Sequence, residues 1–121
     1  MIYGVGPTGI AVPIKVAADG GLSTQGQDYE TVAASQTAQV LGATGAVGDY
    51  INGILVIPAT TSPGNVLLLD GATSITVFTG GATSVADLKP FFIPVGAVSV
   101  VGAWKVTTGA SVSVIGIGNF T

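Results

Sequence analysis

Short apolar runs alternate with turn-forming residues from Tyr29 to the end of this 121-residue chain. The runs are too short for helices and recur about every 8–12 residues, which is typical of all-β proteins. The pattern predicts strands over residues 30–34, 36–41, 50–57, 65–69, 74–79, 91–94, 97–100, 103–107 and 111–117. Turn sequences such as Pro63-Gly64 and Asp70-Gly71 separate them. One helical turn is predicted over residues 83–89.

This many short strands in one domain predict an all-β fold, a two-sheet antiparallel β-sandwich with jelly-roll-like topology. An immunoglobulin-like sandwich is the nearest rival, but the chain has no cysteine for the disulfide of that fold. Asn52-Gly53 leaves a local choice open, because it suits either a hairpin turn or a bulge inside one long strand.

The first 28 residues differ from the rest, being rich in Gly, Pro and polar residues. Within them, residues 11–16 are predicted to form a short edge strand, because Pro13 has no N–H to donate to a ladder. This part has too few apolar residues for a core of its own. We therefore expect an extended N-terminal arm over residues 1–28, lying on its own domain or on a neighbouring protein, and a β-sandwich domain over residues 29–121.

Composition excludes most chemistry. The chain has no His, Cys or Arg, so a neutral-pH general base, a thiolate nucleophile, a Cys/His zinc site and a bidentate phosphate clamp are all missing. With 3 Lys and 6 acidic residues, its net charge of −3 offers no grip on nucleic acid or anionic lipid. The most apolar stretch, residues 91–104, is broken by Pro94 and Gly96 and is too short to span a membrane as a helix. We expect no enzymatic activity, cofactor or metal, and neither nucleic acid nor membrane as a partner.

The acidic residues are interpreted as structural. Asp28 and Glu30 are two positions apart and would share one side of a strand. That spacing could begin a calcium site or a glycosidase pair, but a solvated sheet edge is the preferred interpretation. Asp49 and Asp70 lie next to glycines or turns, where Asp commonly bonds to nearby backbone.

Charged residues make up only 7% of the chain, against about 25% in ordinary globular proteins. Either Thr and Ser cover the surface of a monomer, or much of the surface is buried against other chains, which we favour. Phe91 and Phe92 are expected to place one ring on each side of a strand. Trp104 is expected in the core or an interface, with stacking on a sugar as the alternative. The candidate interface residues are Val12, Pro13, Ile14, Val16, Phe91, Phe92 and Trp104.

Two parts of the chain carry a family resemblance. The segment Val12-Pro13-Ile14-Lys15-Val16-Ala17-Ala18-Asp19-Gly20-Gly21-Leu22 resembles a segment near the start of many small virion proteins of tailed phages. Residues 49–58, 62–64 and 102–106 are similar to small phage proteins described as structural. The resemblance carries over no functional residues.

The resemblance implies a head decoration, or cement, protein: a trimeric β-sandwich on the outer surface of the phage head, with its arm on the shell. Its partners would be the major capsid protein and further copies of itself. The alternative is a tail, neck or fibre-base component, in which the β-sandwich could bind carbohydrate.

Overall fold

A computed structural model describes residues 27–121 and the backbone of two short N-terminal strands, β1 (Gly4–Val5) and β2 (Ala11–Val12), which pair antiparallel. Eight further strands follow: β3 (Asp28–Val32), β4 (Gln39–Val40), β5 (Tyr50–Pro58), β6 (Val66–Asp70), β7 (Thr73–Phe78), β8 (Phe91–Val98), β9 (Trp104–Thr108) and β10 (Val112–Asn119). Within residues 27–121 no helix is long and apolar enough to cross a membrane.

The eight strands form two four-stranded antiparallel sheets, with the orders β3-β10-β5-β8 and β4-β9-β6-β7. The pairing is nested along the chain. β3 pairs with β10, β4 with β9, β5 with β8, and β6 with β7. Each sheet is completed by one more pair, β10 with β5 and β6 with β9. The predicted all-β fold with a two-sheet antiparallel sandwich is confirmed.

The core lies between the two sheets, and in β6, β9 and β10 the buried residues that face it alternate with half-buried outward ones. In β10, for example, Val112 and Val114 are buried while Ser113 and Ile115 are only half-buried. Gly116 continues the inward row without a side chain, and the Leu41 side chain fills the space where its Cβ would be. The buried apolar residues are Val32, Leu41, Ile51, Ile54, Val56, Val66, Leu68, Trp104, Val106, Val112 and Val114.

The structure corrects three details of the strand prediction. Residues 91–94 and 97–100 were predicted as separate strands, but β8 is continuous and passes through Gly96, which has a φ of 65°. Asn52-Gly53 lies inside β5 at a register shift relative to both neighbouring strands, so the bulge and not the hairpin is correct. Residues 83–89 contain turns and bends and no helical turn.

Candidate functional site

The carboxylate pair near the start of the sandwich is largely engaged in structure. Glu30 accepts hydrogen bonds from the Gly42 amide at 3.0 Å and from Gln39 Nε2 at 3.2 Å, which ties β3 to β4 and the loop that follows it. Asp28 is exposed beside it, in an open hollow of about 380 Å³. Among the described residues, no group of three His, Cys, Asp or Glu side chains could hold a metal ion.

A different feature occupies the end of the sandwich where β8 turns into β9. Four valines are exposed there, at 59% for Val47, 52% for Val98, 78% for Val100 and 58% for Val101. We call these four residues the valine tip. The loop of Val47 and the loop of Val100 are adjacent, because the Gly48 amide donates to the Ser99 carbonyl at 3.0 Å. Apolar side chains are therefore presented to solvent from two neighbouring loops.

A nearly buried carboxylate holds one of these loops. Asp70, at the end of β6, accepts hydrogen bonds from the amides of Val100 (3.0 Å), Val101 (3.0 Å) and Gly102 (3.1 Å). Its side chain is only 7% exposed. The three amides converge on one carboxylate, so the backbone under the two valines is constrained although the valines themselves are exposed.

A second carboxylate holds the other loop. Asp49 Oδ2 accepts from the amides of Ala46 at 3.1 Å and Thr121 at 2.9 Å. Its backbone carbonyl accepts from the Ser99 amide at 2.9 Å and from Trp104 Nε1 at 2.8 Å. The valine tip is therefore connected to the core tryptophan and to the end of the described chain through one residue.

Both carboxylates are held in the ionised form. The amide of Val100 is the largest cause that lowers the pKa of Asp70 below its ordinary value of 3.8, with smaller contributions from Gly102 and Val101 that together outweigh burial. Burial raises the pKa of Asp49, but hydrogen bonds from Thr121 and Ala46 lower it by more than burial raises it. The pKa of Asp49 is therefore below its ordinary value of 3.8. At neutral pH both groups therefore remain acceptors for the loop amides.

Besides the valine tip, a second exposed surface is the outward side of the β3-β10-β5-β8 sheet. Cross-strand pairing aligns its side chains in rows, such as Thr31, Ile115, Leu55 and Phe92. We name this side of the sheet the uncharged face. It consists of Tyr29, Thr31, Tyr50, Gly53, Leu55, Ile57, Phe92, Pro94, Ser113, Ile115 and Ile117. Asp28 and Glu30 alternate with Tyr29 and Thr31 along β3 and so point away from it. Val98, at the end of β8, connects this face to the valine tip.

The outward side of the other sheet is more polar. Its central strands present Lys105 and Thr107 beside Leu67 and Leu69, and the adjacent edge strand presents Thr76. The two sheets therefore share one core but expose different chemistry. Only the β3-β10-β5-β8 sheet has a broad outer surface with no acidic or basic side chain among its described residues.

Phe92 lies on the uncharged face in an unusual position. It is 43% exposed, and its ring lies over Gly53, where an added Cβ would collide with the ring carbon Cζ. Gly53 is therefore required for the ring to lie close to the sheet. Phe91 is on the opposite side of β8, where it packs against the core at 5.3 Å between its ring centroid and that of Phe78.

The predicted interface residues thus have different positions. Phe92 is exposed, Phe91 is half-buried against the core, and Trp104 is 4% exposed inside the core. Of the two places predicted for Trp104, core and interface, the structure shows the core, and its depth leaves no ring surface for a partner or a sugar. Val12 is described only as backbone in β2, and Pro13, Ile14 and Val16 lie outside the described residues.

Sequence reasoning missed the valine tip. Asp49 and Asp70 were predicted to bond to their own turns, but Asp70 holds a loop about 30 positions later in the chain. Asp49 does contact Ala46 nearby, yet its other partner is Thr121. Only the apolar run Val98–Val101, interrupted by Ser99, signalled the site, and it was interpreted as the end of a strand.

The fold and these two surfaces define an all-β sandwich with two exposed surfaces rich in apolar side chains. No protein-family model matches the chain, and neither a curated protein nor a solved structure matches it significantly.

Proposed function

We propose that this protein is a structural virion protein of a tailed phage, a decoration or cement protein that attaches to the outside of the head shell and stabilises it. The observation that carries this proposal is the valine tip. Exposed apolar side chains on a loop held by buried carboxylates are an arrangement suited to contact with another protein, because little conformational freedom remains to be lost on binding. The low charge of the chain and its resemblance to phage structural proteins support the same role.

The nested strand pairing supports the finer description of the fold. A long hairpin of four strand pairs, rolled so that successive pairs alternate between two sheets, would give the observed orders, and we infer a jelly-roll topology on that basis. Jelly rolls occur in viral capsid domains and in lectins, so this topology is compatible with a virion role.

The chemistry of the tip indicates the kind of surface it would meet. Valines carry no charge, and the two nearby carboxylates are turned inward and bonded to backbone amides. Ion pairs can therefore contribute little at this contact. We propose the major capsid protein as the partner. The valine tip would bind in an uncharged apolar cleft between subunits of the shell that the capsid protein forms. The N-terminal arm would add contacts to the shell, and the protein would act as a homo-oligomer, a trimer by resemblance.

The alternative role, a tail, neck or fibre-base protein that binds carbohydrate, was linked to stacking of Trp104 on a sugar. Trp104 is buried in the core, so this residue is not available for such stacking.

Co-sedimentation of the full chain with purified empty heads and with separated tails tests the proposal. Wild type should pellet with heads, and the double substitution Val100→Ser with Val101→Ser should reduce the pelleted fraction several-fold. Ile75→Ser, which removes a 46% exposed apolar side chain on β7, is the matched control and should bind normally.

The variants also separate the parts of the proposal. A chain without residues 1–26 tests the arm and leaves β3 intact, since that strand begins at Asp28. Pelleting of wild type with neither heads nor tails would overturn the virion role. Normal head binding by the double-serine variant would show that the valine tip is not the contact.

A further inference from the structure

We propose that the uncharged face is the surface through which copies of this chain associate with one another. The inference rests on the proposed role as an assembling protein and deepens it by naming the self-association surface. It adjoins the valine tip at Val98 but is assigned a different partner, because the valine tip is assigned to the shell.

Charge is the first argument for a second copy as the partner. The whole chain has a net charge of −3, so most approaches between two copies bring like charges together. The uncharged face contains no Asp, Glu or Lys side chain. A surface without charge can meet an identical surface without repulsion, as a symmetric interface requires.

Area is the second argument. The four strands of this sheet contain between five and nine residues each. With strands about 4.8 Å apart and about 3.4 Å per residue, the face is about 19 Å wide and about 25 Å long. The flat area of this face is about 475 Å² per copy, or about 950 Å² for two copies, which is close to the roughly 1,000 Å² of total buried surface that a specific interface needs.

The shape of the face is the third argument. Sheets that pack face to face stand about 10 Å apart, so a bulky side chain that projects from one sheet must fit between the side chains of the other. The ring of Phe92 lies against the sheet over Gly53, so this large side chain does not project as an isolated ridge. Pro94 in the edge strand β8 lacks an N–H, which disfavours association through that edge instead.

The more polar outer side of the other sheet supplies a matched control. Leu55 and Leu67 are both half-buried, outward leucines on central strands, one on each sheet. A lysine at position 55 would place a charge in the middle of the proposed interface. A lysine at position 67 would place the same charge on the opposite side of the sandwich.

The mass of the full chain in solution, measured over a range of concentrations by light scattering and native mass spectrometry, tests the proposal. Wild type should form dimers rather than the trimer implied by the resemblance, because a face that meets an identical copy of itself pairs two chains. Leu55→Lys should weaken that association at least about 100-fold, because a charge would be buried in the contact. Leu67→Lys should leave it unchanged, and circular dichroism should show that both variants are folded.

Phe92→Ser provides a second variant at the edge of the face and should also weaken association. A monomeric wild type at high concentration would overturn the inference, and so would a multimer that Leu55→Lys and Phe92→Ser leave intact. Either result could occur while the protein still pellets with phage heads, so failure of this inference and failure of the proposed function can be told apart.

Discussion

Replacing Trp104 with Phe tests whether this residue stabilises the core and the loops beneath the valine tip. Trp104 is 4% exposed and donates from Nε1 to the Asp49 carbonyl at 2.8 Å. Phe keeps an aromatic ring but loses the N–H and part of the volume. The lost hydrogen bond should cost about 1 kcal/mol, since the Asp49 carbonyl keeps its bond from the Ser99 amide.

The smaller ring also leaves a cavity in the core, which should cost about 1–2 kcal/mol more. The total decrease in the free energy of unfolding is therefore about 2–3 kcal/mol, equivalent to about 8–20 °C in Tm for a domain of this size. Urea and thermal unfolding followed by far-UV circular dichroism measure it. Leu88→Ala is the control, because Leu88 is 51% exposed and lies outside both proposed contact surfaces, and its effect should stay within about 0.5 kcal/mol.

A decrease in the free energy of unfolding of less than about 1 kcal/mol for Trp104→Phe would refute this reasoning. Replacing a core indole that makes a buried hydrogen bond by a smaller ring should cost more than that. A change in self-association without a change in stability would refute it differently, by showing that the residue acts at an interface after all.

Two further predictions concern the carboxylates. Because the pKa values of Asp49 and Asp70 are lowered in the folded state, their stabilising effect is present above the ordinary value of 3.8 and is lost as the pH falls through the folded-state pKa. The urea midpoint of the wild type should therefore be nearly constant above about pH 5 and should decrease as the pH is lowered below about 4. In Asp49→Asn and Asp70→Asn this decrease should be less steep. Equal slopes in the wild type and both variants would contradict the prediction. Amide hydrogen exchange at residues 100–102 should be slow for an exposed loop and should accelerate in Asp70→Asn, whereas exchange at residues 82–89 should not change; fast exchange in the wild type would mean that the carboxylate does not order the loop.

The two proposed contact surfaces follow from the two-sheet architecture of the sandwich. A sandwich of two sheets buries the inner side chains of both and leaves two outer sides, which can differ in chemistry. Here one outer side carries Lys105 and threonines, and the other carries only apolar and uncharged polar residues. The valine tip joins the second side at Val98, so the apolar surface extends from the sheet to the end of the sandwich.

The positions of most strands could be predicted because strand formation is largely local. The alternation of polar and apolar residues in Ser111–Val114 predicts one apolar side of β10, and the structure places Val112 and Val114 in the core. The prediction was wrong at β8, because the strands predicted over residues 91–94 and 97–100 leave a gap at residues 95–96. A bulge accommodates these two residues, and β5 has a compensating irregularity at Asn52.

The sequence by itself determined the fold class and the absence of His, Cys and Arg, since periodicity and composition are properties of the linear chain. It also determined that charge would be scarce on the surface. Only the tertiary structure decided which parts of the surface lack charge and which residues hold the exposed loops. The partners of Asp70 are amides about 30 positions away, and the rows of the uncharged face join strands that are distant in sequence, such as β3 and β10. Such contacts depend on the register and order of the strands, which local residue preferences do not specify.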